Sequence, residues 1–312
     1  MPLISVIIPN YNSQKWLTKT IDSCLLQKEF IKEVIVVDDF STDNSLQVLN
    51  NYSIAYPELV RIFSNKEKGG NNARNYGYSL SSGEYIQWLD ADDQVLGNKF
   101  RDQLKVFEAD RSIDIVYSDW RLHTYDPEGV LIKEEFKKCK PVEDFLYELI
   151  IDNWSAPNNY LVRRNVAEQL FHLQAWNPAT KVGQDREYFS MAALIGAKFV
   201  YAPGFYSVYN RWNINSVSAD VDAAKLESLD KMFGRFENYL SGQNNINSDR
   251  LIKYHNALNT QRALLNVYGF PSRINRGKLT LRNAEWKLIH GLRTKIKFFL
   301  MVLFNRYRDA SL

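Results

Sequence analysis

The sequence predicts an α/β fold, a mostly parallel sheet flanked by helices, and three observations predict it. Short aliphatic and β-branched runs recur at regular intervals through the first third of the chain, each followed by an amphipathic stretch of helical period. The runs end abruptly on acids or aromatics, as in Pro9-Asn10-Tyr11-Asn12, Val37-Asp38-Asp39 and Leu89-Asp90-Ala91-Asp92-Asp93. Open α/β sheets bind ligands outside the carboxyl ends of their strands, so these acids stand where chemistry is expected.

The elements follow in order. Leu3 to Pro9 reads as a first strand, and a helix with Ser13 as N-cap runs to Leu26, burying Leu17, Ile21, Cys24 and Leu25 on one face. Glu33 to Val37 is a second strand, followed by a helix that starts after Ser41 or Asp43 and carries Leu46 and Leu49. Val60 to Phe63 is a third; a polar, glycine-containing segment over 65–72 leads to a short helix through Ala73 and Leu80. The fourth, Tyr85 to Leu89, ends on three carboxylates. Four such units imply parallel strands with helices packed on the sheet faces.

Beyond a helix carrying Phe100, Leu104 and Phe107, the alternation breaks and a mixed α+β half is expected. Ile113 to Trp120 is a strand leading into a hairpin at Asp126-Pro127-Glu128-Gly129. A helix over 142–151, an extended piece at Tyr160-Leu161-Val162, a helix from Gln184 to Ile195 and strands at Lys198–Tyr201 and Phe205–Tyr209 follow. Helices dominate from Asp222, with a low-hydrophobicity linker at Ser241–Ser248.

Composition bounds the rest. The 312 residues, 45% hydrophobic and 24% charged, suit one large α/β domain with an appendage or two smaller domains. The two cysteines have neither metal nor redox spacing, and the chain passes from Met1 straight into a strand, so no signal peptide and a reducing cytoplasm are expected. The net charge of +3 is unevenly spread: between Arg273 and Arg308 ten Lys or Arg face one acid, Glu285. In that segment Trp286, Ile289, Leu292, Ile296, Phe299 and Leu303 share a helical face. An interfacial helix on anionic lipid and packing in a core or dimer remain alternatives, because the apolar run at 298–304 falls short of the ~20 residues of a membrane span. No nucleic-acid partner is expected.

No Gly-x-Gly-x-x-Gly follows the first strand and no Gly-x-x-x-x-Gly-Lys-Ser/Thr occurs, which argues against a dinucleotide-binding enzyme and a P-loop NTPase. Phosphates would then be handled by a metal and side chains. The carboxylates of Asp90-Ala91-Asp92-Asp93 are hard oxygen donors that suit Mg²⁺ or Mn²⁺ and leave coordination positions open for phosphate oxygens. The competing structural role is that Asp92 or Asp93 caps the helix beginning near Asn98.

Val6-Ile7-Ile8-Pro9-Asn10-Tyr11-Asn12, Val36-Val37-Asp38-Asp39-Phe40-Ser41-Thr42-Asp43, Ala73-Arg74-Asn75-Tyr76-Gly77, Asp90-Ala91-Asp92-Asp93 and Gln184-Asp185 stand in this order. Together they make the chain resemble the family 2 glycosyltransferases of the GT-A fold over roughly residues 3 to 218. The resemblance implies a catalytic domain over 1–218, with a nucleotide-binding half at about 1–97 and an acceptor half at about 98–218, and a helical C-terminal extension over 219–312. It implies an inverting, Mn²⁺- or Mg²⁺-dependent transfer from a nucleotide-diphosphate sugar, a UDP-sugar above others, to a hydroxyl of a glycan or lipid-linked acceptor in cell-surface polysaccharide synthesis.

The family's motifs also imply roles. Pro9 and Tyr11 meet the nucleotide, Tyr11 by stacking on the base, and Asp39 accepts the pyrimidine N3–H. A carboxylate can accept from an imide N–H but donate nothing, which favours uridine or thymidine over cytidine. Asp38 is left to organise the turn. Arg74 offsets phosphate charge, Asp90 and Ala91 face the ribose or the metal shell, Asp92 ligates the metal and Arg211 reaches the pyrophosphate. Asp185 is the base; a helix N-terminus would lower its pKa, and Asp90 and Asp92 would raise it. Many relatives carry Arg-x-His where this chain has Arg211-Trp212-Asn213, so the histidine's contact is missing. Trp154, Trp176 and Trp212 could stack on an acceptor sugar or pack internally. Two other classes compete: a phosphoryl-transfer enzyme using Asp-Ala-Asp, which would want that pair after the first strand, and a catalytically silent nucleotide- or glycan-binding module, which would need no Asp185.

Overall fold

The computed structural model describes residues 3–151, 155–212, 223–243 and 246–268. These fall into two compact units: Met1–Glu143 with Ser155–Pro178 and Gln184–Ala219, and Asp144–Trp154 with Ala179–Gly183 and Asp220–Leu312.

The first unit carries the sheet. Strands β1 (Ile4–Asn10), β2 (Ile31–Asp38), β3 (Val60–Ser64) and β4 (Tyr85–Trp88) alternate with helices α1 (Leu17–Leu25), α2 (Ser45–Ala55) and α3 (Gly70–Leu80). All four strands are parallel, in the order β3-β2-β1-β4. Buried on both faces, they read as continuous apolar runs, and Ile4, Val6, Ile8, Val34 and Val36 form one core with Leu17, Ile21 and Cys24 of α1. Burial pushes the Cys24 thiol up to about 12, which marks an inert packing residue.

After β4 the chain adds β5 (Gln94–Val95), α4 (Lys99–Ala109), β6 (Ile115–Tyr125) and β7 (Leu131–Lys137). Strand β8 (Leu161–Arg163), α6 (Arg164–His172), α7 (Gln184–Leu194) and β9 (Phe199–Trp212) complete the unit, and the sheet continues β4-β8-β6-β9-β5. β8 is antiparallel to both β4 and β6, while β6 and β9 are parallel, so this half is mixed as expected. α5 (Phe145–Ile150), α8 (Ala223–Ser241) and α9 (Ser248–Tyr268) form the described part of the second unit. There Asp144 caps α5 by accepting from Tyr147 N–H at 3.1 Å and takes Lys253 at 3.0 Å, while Arg262 joins Asp230 at 2.7 Å to Glu237 at 2.6 Å.

Several expectations need correction. Ser13 does not cap the first helix: it opens a turn, accepting from Trp16 and Leu17 N–H, and α1 starts four residues later. The two late strands are one, β9, whose register with β6 shifts where Ala202-Pro203-Gly204 interrupts it, Gly204 having φ +141°. α6 is an element the sequence did not lead one to expect; its nine residues bury Val166, Ala167 and Leu170 and begin without a side-chain cap. The hairpin turns where expected, with Asp126 Oδ1 accepting from Val130 N–H at 2.7 Å. No helix among the described residues is long and apolar enough to cross a membrane, and the basic segment over 273–308 lies outside them.

Candidate active site

Two loops interlock at the ends of β1 and β2. Asn12 and Phe40 take left-handed backbone (φ 49° and 62°), and Asn12 Oδ1 accepts from Thr42 N–H at 2.7 Å. Asp38 accepts from Asn10 Nδ2 at 2.8 Å and Ser41 N–H at 3.1 Å, a turn-forming arrangement. Asp39, 5% exposed, receives Asn65 Nδ2 at 2.7 Å on one oxygen and the Gly69 N–H on both, at 2.9 and 3.0 Å. Gly69 has φ +133°, which a side chain would strain, so a glycine is what lets the 65–69 loop close on that carboxylate. Tyr11 is 48% exposed and the Lys68 ammonium lies 4.0 Å from its ring centroid. Pro9 continues β1 beyond its last pairing with β4, Ile7 to Trp88, so its missing N–H leaves no ladder bond unmade on that side.

The acid corner follows β4. The Ala91 carbonyl accepts from Thr20 Oγ1 at 2.9 Å, which ties the corner to α1. Asp93 is fully buried, accepting Asn210 N–H at 2.9 Å and Asn158 Nδ2 at 3.2 Å; burial, then the charges of Asp92 and Asp90, hold its pKa well above the usual carboxylate range. Neither Asp92 nor Asp93 caps the next helix, since Asn98 is the N-cap of α4. Asp92 Oδ2 accepts from Trp212 Nε1 at 3.1 Å, and burial, then Asp90, pushes its pKa up to about 7. Trp212 is stacked between Trp16, at 3.4 Å between centroids, and Tyr125, at 4.0 Å.

Arg74 joins this corner to α7. Its Nη2 donates to Asp90 Oδ1 at 2.5 Å, and its Nη1 donates to Asn71 at 3.1 Å and to Gln184 Oε1 at 3.3 Å. The guanidinium lies 4.5 Å from the Trp176 ring centroid. Trp176 is 2% exposed, stacked on Tyr188 at 4.5 Å, so of the two readings left open it packs internally and carries Arg74. Asp185, next to Gln184, has its pKa pushed up to about 6. Burial is the main cause and Asp90 adds to it, against the Arg186 N–H and the Arg74 charge. The helix N-terminus therefore loses to dehydration and to the neighbouring acids.

Sequence reasoning missed Asn158, Asn210 and Trp16, which come from a 3-10 turn (Pro157–Asn159), the far end of β9 and the turn before α1. Only the Asn-Asn pair after Pro157 carried a local signal, that of a turn. Arg211 lies on β9 between Asn210 and Trp212 and is exposed. Tyr209, on the same side of the strand as Arg211, has its hydroxyl pKa raised by burial and then by the charges of Asp93, Asp90, Asp185 and Asp92, so this side of β9 also meets the acids. Trp154 and Asn213 lie outside the described residues.

Among the described residues no group of three or more His, Cys, Asp or Glu side chains is arranged to hold a metal ion alone. The donor chemistry nonetheless fits Mg²⁺ or Mn²⁺ completed by substrate oxygens. Asp92 offers a hard carboxylate crowded by two acidic neighbours, and a divalent cation relieves that repulsion.

The family model for glycosyl transferase family 2 matches residues 5–171, more than half of the chain. The chain belongs to this family of glycosyltransferases. It is 35% identical over 122 residues to an uncharacterized glycosyltransferase of Rickettsia felis, 39% of this chain and 20% of that protein. It is 36% identical over 136 residues to the chondroitin synthase of Escherichia coli, 44% of this chain and 19% of that protein. The chain thus spans about a fifth of the length of these two relatives. Its fold is similar to that of S. aureus TarS 1–349 in complex with UDP-GlcNAc, 18% identical over 96% of this chain and 79% of that one, with a TM-score of 0.63. GalNAc-T7 with UDP, GalNAc and Mn²⁺ is similar at a TM-score of 0.52, 16% identical over 82% of this chain and 55% of that one. The α/β sheet is that of the GT-A glycosyltransferases.

Proposed function

We propose that this chain transfers a sugar from a UDP-sugar, with inversion and with Mn²⁺ or Mg²⁺, to a hydroxyl of a glycan or lipid-linked acceptor in surface-polysaccharide synthesis. The observation that carries this is the single guanidinium of Arg74, which bonds both Asp90 after β4 and Gln184 beside Asp185. It brings a leaving-group corner and a base into one electrostatic cluster, as a displacement requires. The UDP and Mn²⁺ in the fold neighbours support the choice of donor and metal. The residues assigned to the reaction belong to the 1–218 portion.

In this reaction Asp185 takes the proton of the acceptor hydroxyl as its oxygen bonds to the anomeric carbon. The bond from that carbon to the diphosphate breaks on the opposite face, and the electron pair leaves with the diphosphate. With a pKa of about 6, Asp185 is a stronger base than an ordinary carboxylate and is still ionised at neutral pH. Asp92 would hold the metal, which when bound would supply Lewis-acid stabilisation to a leaving diphosphate. Arg74 keeps Asp90 in place and offsets phosphate charge, Asp39 with its loop meets the pyrimidine edge, and Tyr11 stacks on the base with Pro9 and Ala91 lining the nucleotide.

A thermal-shift panel of UDP-, TDP- and GDP-sugars with Mn²⁺ tests the donor, since a ligand that binds only the folded form raises its melting temperature. UDP-sugars are expected to raise it most, and Asp92→Asn to remove the metal-dependent part. No shift with any nucleotide, or hydrolysis of simple phosphate esters instead, overturns the proposal.

A further inference from the structure

Among the described residues eleven large apolar side chains are exposed, and four of them fall in one short stretch: Val130 (59%), Leu131 (45%), Ile132 (57%) and Phe136 (55%). This stretch is β7 and the turn before it. Among the described residues β7 pairs with β6 alone, so its outer edge presents unpaired N–H and C=O groups. Proteins protect such edges with charged side chains, bulges, prolines or a cover. Here the strand carries Leu131-Ile132-Lys133-Glu134-Glu135-Phe136-Lys137 without a proline, and its register break against β6 lies at the turn end. Its charges are of both signs, Glu135 pairing along the strand with Lys133 at 3.3 Å and Lys137 at 3.0 Å, so they can match a second copy as well as repel strangers.

The order of these residues is self-complementary. If two copies of the strand run antiparallel with Glu134 at the two-fold axis, Lys133 of each faces Glu135 of the other, and Ile132 of each faces Phe136 of the other. Opposite charges and apolar pairs directly across a ladder each stabilise it. Glu134 meets its own copy, a like-charge contact, but each Glu134 is already engaged on its own sheet by His123 Nε2 at 2.8 Å and Arg121 Nη1 at 3.4 Å. Moving the two-fold axis by one residue loses the charge match, since it sets Leu131 against Glu135 with the axis at Lys133, or Lys133 against Lys137 with the axis at Glu135.

We infer that β7 is a homodimer interface, in which two copies of this chain join their sheets edge to edge, antiparallel about Glu134. The contact is a main-chain ladder flanked by two Lys133–Glu135 pairs and two Ile132–Phe136 pairs. A seven-residue strand is a small interface, so the dimer forms in a concentration-dependent way rather than as an obligate unit. The inference stands on this edge alone and is independent of the proposed reaction.

Sedimentation of the full chain across micromolar concentrations is expected to show a monomer–dimer equilibrium. Lys133→Glu and Glu135→Lys should each raise the dimer Kd by about tenfold or more, because each turns both ion pairs into like-charge pairs. An equimolar mixture of the two variants should recover dimer, since every facing pair is then again opposite in sign, and this recovery also shows that both variants are folded. Glu134→Cys should cross-link to itself on mild oxidation or with a short thiol linker. Leu131→Cys, whose copies would stand about 20 Å apart in this register, should not. A monomer at every concentration, a dimer indifferent to the charge reversals, or equal cross-linking at 131 and 134 overturns the inference.

Discussion

Trp212 Nε1 donates to Asp92 Oδ2 across 3.1 Å, and the indole is clamped between Trp16 and Tyr125. An aromatic stack thus fixes one oxygen of the carboxylate assigned to the metal and leaves the other to meet a ligand. Trp212→Phe keeps an aromatic ring in the stack and removes the N–H. Mn²⁺-dependent UDP binding, read by calorimetry, is expected to weaken by about tenfold, the worth of one hydrogen bond to a charged group. Binding without Mn²⁺ should change little. Unchanged metal-dependent binding would show that the indole only packs.

Asp185→Asn removes the proposed base while keeping the shape of the side chain. Transfer is expected to fall by about 10²–10⁴ with UDP binding retained. A near-normal rate would move the base elsewhere.

The pH dependence follows from the same group. As the proposed base Asp185 must be deprotonated, and its pKa stands raised to about 6. The rate at limiting substrate should therefore rise tenfold per pH unit below about 6 and level off above it. The stability sign is opposite. The folded state holds this proton more tightly than the unfolded state, so between the ordinary carboxylate pKa near 4 and the folded value near 6 stability falls as pH rises. Asp185→Asn should flatten this part of the melting-temperature profile, measured by calorimetry from pH 4 to about 7.

Arg74→Ala leaves Asp90 beside the other acids without its cation and strips the ring face of Trp176. The pair is only partly shielded, at 9% and 28% side-chain exposure, so the cost is expected near the lower end for broken buried pairs, about 3 kcal/mol, read from urea melts. Arg74→Lys should restore part of the stability and less of the nucleotide binding, because an ammonium cannot serve Asp90 and Gln184 in one plane.

Gly77 lies where α3 crosses β1 and β2. A Cβ there would come within 2.6 Å of Ile7 Cγ2 and 3.3 Å of Val37 Cγ2. Gly77→Ala should destabilise the chain by about 1–3 kcal/mol through overpacking, with no change in the pH profile of whatever activity survives. A neutral melting temperature would mean that α3 can shift outward freely.

The parallel half of the sheet was legible because its strands are buried on both faces and their apolar runs stop on acids, a pattern that needs no tertiary information. The acid corner stood out locally as three carboxylates closing an apolar run, whereas Asp185, in the first turn of a helix where an acid is favourable anyway, was singled out only by the resemblance to family 2 glycosyltransferases. The first helix was misplaced because Ser13 carries a cap's chemistry while the backbone uses it for a turn, and α6 was missed although Val166, Ala167 and Leu170 lie at helical spacing, because it is only nine residues long and has no N-cap side chain to announce it. Residues distant in sequence were beyond reach. Asn158, Asn210 and Trp16 meet the corner only through folding, and β9 carries Asn210 and Trp212 there because it continues past the interruption at Ala202-Pro203-Gly204, which had read as an end.

From local pattern alone came the α/β class and the acids at the strand ends, since hydrophobic period and turn chemistry are properties of neighbouring residues, while the roles expected of those acids came from the resemblance to family 2 glycosyltransferases. The ionisation of those acids, the bridge from Arg74 to both sides of the cluster and the burial of Trp176 were decided by tertiary structure. Dehydration and Coulomb interaction depend on distances across the sheet, which a linear order of residues does not contain.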